Sequence, residues 1–222
     1  MAAEPGVPRV RSVNVGRATP LPGVPRPTGI DKRPVTGPVA AGPLGLAGDE
    51  QADRAHHGGV DQAVYAYAAE DLDFWAALLG RPLRAGQFGE NLTTEDLPVT
   101  EAVVGERWAV GSAVLEVSAP RIPCRVFAAW LGEPDWVRRF TAEGRCGAYL
   151  RVRQPGRLQA GDPVTVVHRP GHRLTVGEAF RALTGDRALV PRLLAAPELP
   201  AEAHAVARRV LAEPPVAPDP GA

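Results

Sequence analysis

The sequence predicts an α+β fold: a mainly β domain over residues 1–170, then a small three-helix extension over 171–212. Three observations predict it. Gly and Pro break the first part into short runs that alternate or cluster β-branched residues, as strands do. Two of those runs meet at Gly111-Ser112, a pair suited to a tight hairpin. Near Pro170 the pattern changes to helical spacing and keeps it to Ala212.

The strand-like runs are RVRSVNVG (9–16), AVYAY (63–67), RWAVG (107–111), AVLEVSA (113–119), GAYLRVR (147–153) and DPVTVVHR (162–169). Many short strands at turn-separated intervals point to an antiparallel barrel or sandwich. Two short helices interrupt them, over 68–80 and 134–144, each ending at Gly. In the extension, Thr175 and Glu178 have the spacing of a capping box. Val176, Ala179, Phe180 and Leu183 then form the apolar face of the first helix. DRALVPRLLAAP and PAEAHAVARRVLA supply the other two helices, and residues 213–222 read as a disordered Pro-rich tail.

Composition removes several classes of function. The chain of 222 residues carries 25 basic and 25 acidic side chains, so bulk charge draws it to neither nucleic acid nor anionic membrane. No apolar run approaches the ~20 residues that span a bilayer. The N-terminus lacks the layout of a secretory signal, which makes the cytoplasm the expected location. Two cysteines exclude a disulfide framework. Lys32 is the only lysine among 25 cationic side chains.

Four stretches could carry chemistry. In SAPRIPCRVF (118–127) a strand ends in a proline turn, and CRVFAAWLG reads as a helix. With Pro123 at the first helical position, Cys124 falls in the first turn between Arg121 and Arg125. Unpaired N–H groups and cations there favour a thiolate, a nucleophile or soft metal ligand; the competing reading is a cysteine filling an apolar gap. Cys146, at the start of a strand, reads as structural. The second stretch, GDEQADRAHHGGVDQ (48–62), holds Asp49, Glu50, Asp53, Arg54, His56, His57 and Asp61. Gly58 and Gly59 would let its backbone approach a ligand. It suits the wall of a polar-ligand pocket or an ordinary surface loop, and it lacks zinc-ligand spacing. In GQFGENLTT (86–94), Glu90 and Asn91 lie on a tight loop, and the Asn91 amide can both donate to and accept from a heteroaromatic edge. In TGIDKRPV (28–35), Lys32 and Arg33 form either a phosphate-sized cationic spot or a solvated pair.

In this order, GIDKRPVTGPV, GLAGDEQADRAHHGGVDQAVYAY, GQFGENLTT, VGERWAVGSAVLEVSAPRIPCRVF and GRCGAYLRV resemble the MOSC domain, the molybdenum cofactor sulfurase C-terminal type. The resemblance is to its stand-alone, YiiM-like kind, which carries three helices after a β-barrel, and it covers about residues 8–212. It implies a barrel that binds a molybdopterin-type molybdenum cofactor, with Cys124 ligating the metal or carrying a sulfur atom. Lys32, Arg33, Asp53, His57, Gly58, Gly59, Asp61, Asn91 and Arg121 would surround the pterin and its phosphate. Binding of pyridoxal phosphate is also associated with the family. One departure stands out: the family often reads D-K-A after HGG, and Gln62 replaces that lysine here, which moves a cationic contact, for instance to Arg54.

Relatives of this kind reduce N-hydroxylated compounds such as hydroxylaminopurines. The resemblance therefore implies an oxidoreductase with a small N-hydroxylated substrate. Two cysteines are too few for a four-cysteine iron–sulfur cluster, and no G-x-G-x-x-G loop is present. Electrons would come from a separate reductase. Two alternatives stay open: a carrier of cofactor or of sulfur as a Cys124 persulfide, and a nucleophilic enzyme pairing Cys124 with His57 and Asp61.

Overall fold

The structure is a computed structural model that describes residues 6–51 and 58–213. Asp53, Arg54, His56, His57 and the tail after Glu213 lie outside the described residues. The strands are β1 (Arg9–Val15), β2 (Arg33–Pro34), β3 (Val39–Gly42), β4 (Gly45–Leu46), β5 (Val64–Ala68), β6 (Leu92–Glu95), β7 (Arg107–Val110), β8 (Ala113–Pro120), β9 (Ala148–Gln154), β10 (Gly156–Leu158) and β11 (Val164–His168). Eight of them form one sheet in the order β11-β7-β8-β9-β5-β6-β1-β2, and β10-β3-β4 form a second.

The large sheet curls without closing into a continuous ladder. Its ends meet at the bridge Arg9–Pro163, where Val10 N donates to Asp162 O at 2.9 Å and Val164 N to Pro8 O at 2.8 Å. Farther along, β1 pairs with β2 instead, at Asn14–Pro34 and Val15–Arg33. The barrel anticipated from sequence is thus an open one, drawn together at one end.

One ladder differs from the expected antiparallel pattern: β5 and β6 are parallel. Helix α1 (Ala69–Leu79) lies between them in the chain and supplies the crossover that parallel neighbours need. The sequence placed Glu90 and Asn91 on a tight loop; the residues that follow, Leu92–Glu95, form β6, with Leu92, Thr93 and Thr94 buried between β5 and β1. Helices α2 (Arg125–Leu131) and α3 (Trp136–Glu143) follow β8. With α1 they enclose an aromatic cluster: Phe88 lies 5.1 Å from Phe127 and 5.6 Å from Trp136, and Trp75 stacks on Phe140 at 5.8 Å.

The three helices of the extension are α4 (Val176–Thr184), α5 (Val190–Leu193) and α6 (Ala201–Ala212). Thr175 and Glu178 form the capping box the spacing predicted, with both hydrogen bonds present. Val176, Phe180, Leu193 and Ala207 join the same apolar core as the sheet. A backbone bond from Val104 N to Leu174 O, 2.9 Å, ties the extension to the segment before β7.

The strands also share one buried carboxylate. Glu116 on β8 has a fully buried side chain and accepts from Arg107 Nε at 2.8 Å, Arg153 Nη2 at 2.7 Å and Arg151 Nη1 at 3.2 Å. Burial works to raise its pKa, but hydrogen bonds and charge from Arg153 and Arg107 outweigh it and hold the group below its usual 4.5. Such a carboxyl contributes stability above its unfolded-state pKa and loses it as pH falls through the folded one. Glu116→Gln should therefore cost about 2 kcal/mol at neutral pH. In urea titrations, the gap to wild type should shrink as pH falls below 4.5. A gap constant across that range contradicts the assignment.

Candidate active site

Six segments converge on one cavity of about 200 Å³. Arg26, Thr28 and Lys32 come from the loop before β2, and Asp49, Glu50 and Gln51 from the loop after β4. Gln62 and Tyr65 border β5, and Gly89 and Asn91 precede β6. Arg121 and Cys124 join β8 to α2, and Tyr149 comes from β9.

The organising group is Asp49, whose side chain is only 3% exposed. One carboxylate oxygen accepts from Gly16 N at 2.8 Å and from Lys32 Nζ, and the other from Asn91 Nδ2 at 2.9 Å. Lys32 is itself buried; desolvation lowers its pKa against the opposing pull of Asp49. Asn91 is spent on structure as well. Its second amide hydrogen goes to Asn14 O at 3.2 Å, and its carbonyl accepts from Tyr65 N at 3.1 Å. Both amide donors are therefore engaged, so the donor half of the pterin-edge role read from sequence is taken up by the fold.

The loop between these groups is shaped from inside by Glu90, which is fully buried. Its carboxylate accepts from Gly86 N, from Phe88 N at 3.0 Å and from Thr93 Oγ1 at 2.8 Å. Burial raises its pKa, against the hydrogen bonds it accepts. Gly86 sits at φ 79°, and a Cβ there would collide with the Lys32 carbonyl oxygen. That contact brings the 86–91 loop up to the Lys32 segment.

Arg121 is 6% exposed. Its Nη1 donates to Phe88 O at 2.7 Å, and its guanidinium lies over the Phe127 ring at 3.9 Å. Desolvation works against its charge, but Tyr149, Tyr65 and Cys124 outweigh it and raise the pKa. Among the described residues it has no carboxylate partner in a salt bridge. A buried cation on a cavity wall with no carboxylate paired to it among the described residues suits an anionic ligand.

Cys124 lies next to it, partly buried, at the cavity wall. The sequence put it inside the first helical turn; it is the N-cap instead, with extended backbone at φ −133° and ψ 172°. Pro123 stands before the cap, so the helix starts at Arg125. Arg125 is exposed, whereas the buried Arg121 is within electrostatic range of the sulfur. Cys146 is fully buried, and desolvation pushes its thiol far above the ordinary range.

The structure brings Lys32, Asn91, Arg121 and Cys124 together and leaves other expected residues apart from the cavity. Arg33 is exposed and pairs with Asp31 at 2.8 Å. Asp61, paired with Cys124 in the nucleophile reading, is bound to Arg151 at 2.5 Å and does not line the cavity that Cys124 borders. Gly58 and Gly59 lie beside the cavity segment without lining it. Both have positive φ, and Gly59 N donates to Gln51 Oε1 at 3.1 Å. Asp53 and His57 are outside the described residues. Sequence reasoning passed over Asp49 as a binding-site residue, and it passed over Tyr65 and Tyr149 altogether. The alternation of AVYAY and GAYLRV carried a signal for the tyrosines, since both face the same side across the Tyr65–Tyr149 register pair.

The MOSC domain family model matches residues 53–165, which include Cys124 and most of the cavity-forming strands. The chain belongs to the MOSC family. Among its relatives, YflK of Bacillus subtilis (strain 168) is 37% identical over 174 residues, 78% of this chain and 79% of that protein. YiiM of Escherichia coli (strain K12) is 34% identical over 157 residues, 69% of this chain and 70% of that protein. A protein named Reductase from Gibberella moniliformis is 30% identical over 77% of this chain, which is 31% of that longer protein. The crystal structure of YiiM from Geobacillus stearothermophilus superposes with a TM-score of 0.78 at 30% identity, covering 92% of this chain and 99% of that one. It is a YiiM-like MOSC protein.

Two thiols in such different surroundings should react differently. Brief alkylation of the native protein with iodoacetamide is expected to label Cys124 and to spare Cys146. Peptide mapping by mass spectrometry reads this, and label on Cys146 in the folded chain would contradict the burial.

Proposed function

We propose that this MOSC protein is a molybdenum cofactor-dependent oxidoreductase that reduces N-hydroxylated compounds to the corresponding amines. The observation that carries the reading is the placing of Cys124 on one cavity with the buried Arg121, which has no carboxylate partner among the described residues. A thiolate sulfur is a ligand of the soft kind that accepts molybdenum, and a desolvated guanidinium suits an anionic group such as a pterin phosphate. The donor set therefore fits a molybdopterin. Cys124 would hold the metal, Arg121 and Lys32 the anionic part, and the Tyr65 and Tyr149 rings and the Gln62 amide the heterocycle. When bound, the cofactor supplies the two-electron redox chemistry.

The chain's own residues then bind and orient. Asp49 fixes Lys32, and the Phe88 carbonyl fixes Arg121, so neither cation has to reorganise when an anion arrives. The Phe127 face under Arg121 keeps water from that side of the guanidinium. The name of the Gibberella moniliformis relative supports an oxidoreductase reading. Electrons come from a separate electron-donating reductase, because two cysteines cannot ligate a four-cysteine iron–sulfur cluster. Nucleic acid and membrane are not partners in this reading. Among the described residues no helix is long and apolar enough to cross a membrane, and we place the protein in the cytoplasm.

Elemental and pterin analysis of protein made in a cofactor-competent host tests the proposal. Wild type should carry near-stoichiometric molybdenum and reduce hydroxylaminopurine with a reduced dye as donor. Cys124→Ser should stay folded and lose activity at least a hundredfold. Metal-free protein that still reduces the substrate would refute it.

A further inference from the structure

The chain contains three tyrosines, and their hydroxyls meet different fates. Tyr65 Oη donates to Cys146 O at 2.8 Å, and Tyr67 Oη donates to Arg145 O at 2.7 Å while accepting from Trp75 Nε1 at 3.0 Å. Tyr149 lines the cavity with Cys124 and Arg121, and among the described residues its hydroxyl has no hydrogen-bond partner. A buried or half-buried phenol normally finds a partner, so one left open on a cavity wall points to a ligand atom.

Its ring is held in place. Tyr149 on β9 stands opposite Tyr65 on β5, with ring centroids 5.2 Å apart, and Tyr65 is itself anchored through its hydroxyl. Tyr149 is also within electrostatic range of both Arg121 and Cys124. Burial raises its pKa, so it stays a neutral donor at physiological pH. Arg121, the cation within electrostatic range of the same sulfur, is already bonded to Phe88 O.

On the reading that the site reduces N-hydroxylated compounds, we infer that Tyr149 is a further catalytic residue, donating a hydrogen bond to the substrate's hydroxyl oxygen. The reaction R–NH–OH + 2e⁻ + 2H⁺ → R–NH₂ + H₂O breaks the N–O bond, and the oxygen leaves as water. Both electrons come from the external electron-donating reductase, or from a reduced dye in the assay, and both protons come from solvent. Tyr149 stabilises the oxygen as charge builds on it and so distinguishes the N-hydroxylated compound from its amine. An amine product offers no oxygen to this donor.

The test uses cofactor-loaded wild type and Tyr149→Phe, which keeps the ring and its packing on Tyr65. With reduced methyl viologen as donor and 6-N-hydroxylaminopurine as substrate, kcat/KM should fall tenfold to a hundredfold in the variant at unchanged molybdenum content. Calorimetry with the unreduced proteins gives a second readout. Wild type should bind the hydroxylaminopurine more tightly than adenine, and Tyr149→Phe should lose that preference by about tenfold while binding adenine as before. Unchanged kcat/KM, or an equal loss of affinity for both ligands, overturns the inference and leaves the oxidoreductase reading standing. Wild type that carries molybdenum yet reduces nothing overturns that reading, and this one with it.

Discussion

The cavity depends on one carboxylate. Asp49 is desolvated, and a desolvated charge is tolerable only when its lone pairs are filled and a counter-charge is close. Gly16 N, Lys32 Nζ and Asn91 Nδ2 meet those conditions, and each comes from a different stretch of chain. Satisfying Asp49 therefore assembles the loop before β2, the loop after β4 and the start of β6 into one wall. It also pairs Lys32 with a carboxylate, so among the described residues the buried cation on that surface without one is Arg121.

The opposite wall follows from how β8 ends. Pro120 closes the strand, Pro123 forces the turn, and α2 starts one residue after Cys124. Arg121 inside that turn is pinned by Phe88 O and by the Phe127 ring, the first residue on the loop that Glu90 shapes and the second on α2 itself. The aromatic cluster beneath thus fixes the height of the guanidinium, and the turn fixes the sulfur beside it. Cys146 shows the contrast: without such a turn, it ends up sealed in the core.

Local pattern made much of this legible. The strands β1, β5, β7, β8, β9 and β11, the Gly111 hairpin and the Thr175–Glu178 capping box are encoded in short-range periodicity and caps, and all are present. The short β2, β3, β4 and β10 are two to four residues long and exist only because partners elsewhere in the chain pair with them, so no periodicity announces them. The same holds for the four residues of β6, which were not among the strand-like runs. Within the site, Cys124 and Arg121 were legible because proline and arginine mark the turn. Asp49 was one of several acids in a polar stretch, and only the fold shows which of them is buried. Arg33 was indistinguishable from Lys32 in sequence, yet the β2 pairing turns it to solvent and Asp31.

If the Asp49 hub organises the cofactor site, losing it should matter far more than losing a charge outside the cavity. The direct measurement is molybdenum content, with circular dichroism to confirm folding, of Asp49→Ala beside Arg33→Ala from the same host. The account predicts that Asp49→Ala retains at least tenfold less metal than wild type, as loss of an outer-shell partner does at metal sites, while Arg33→Ala retains it fully. Equal loading of the two folded variants would contradict the account.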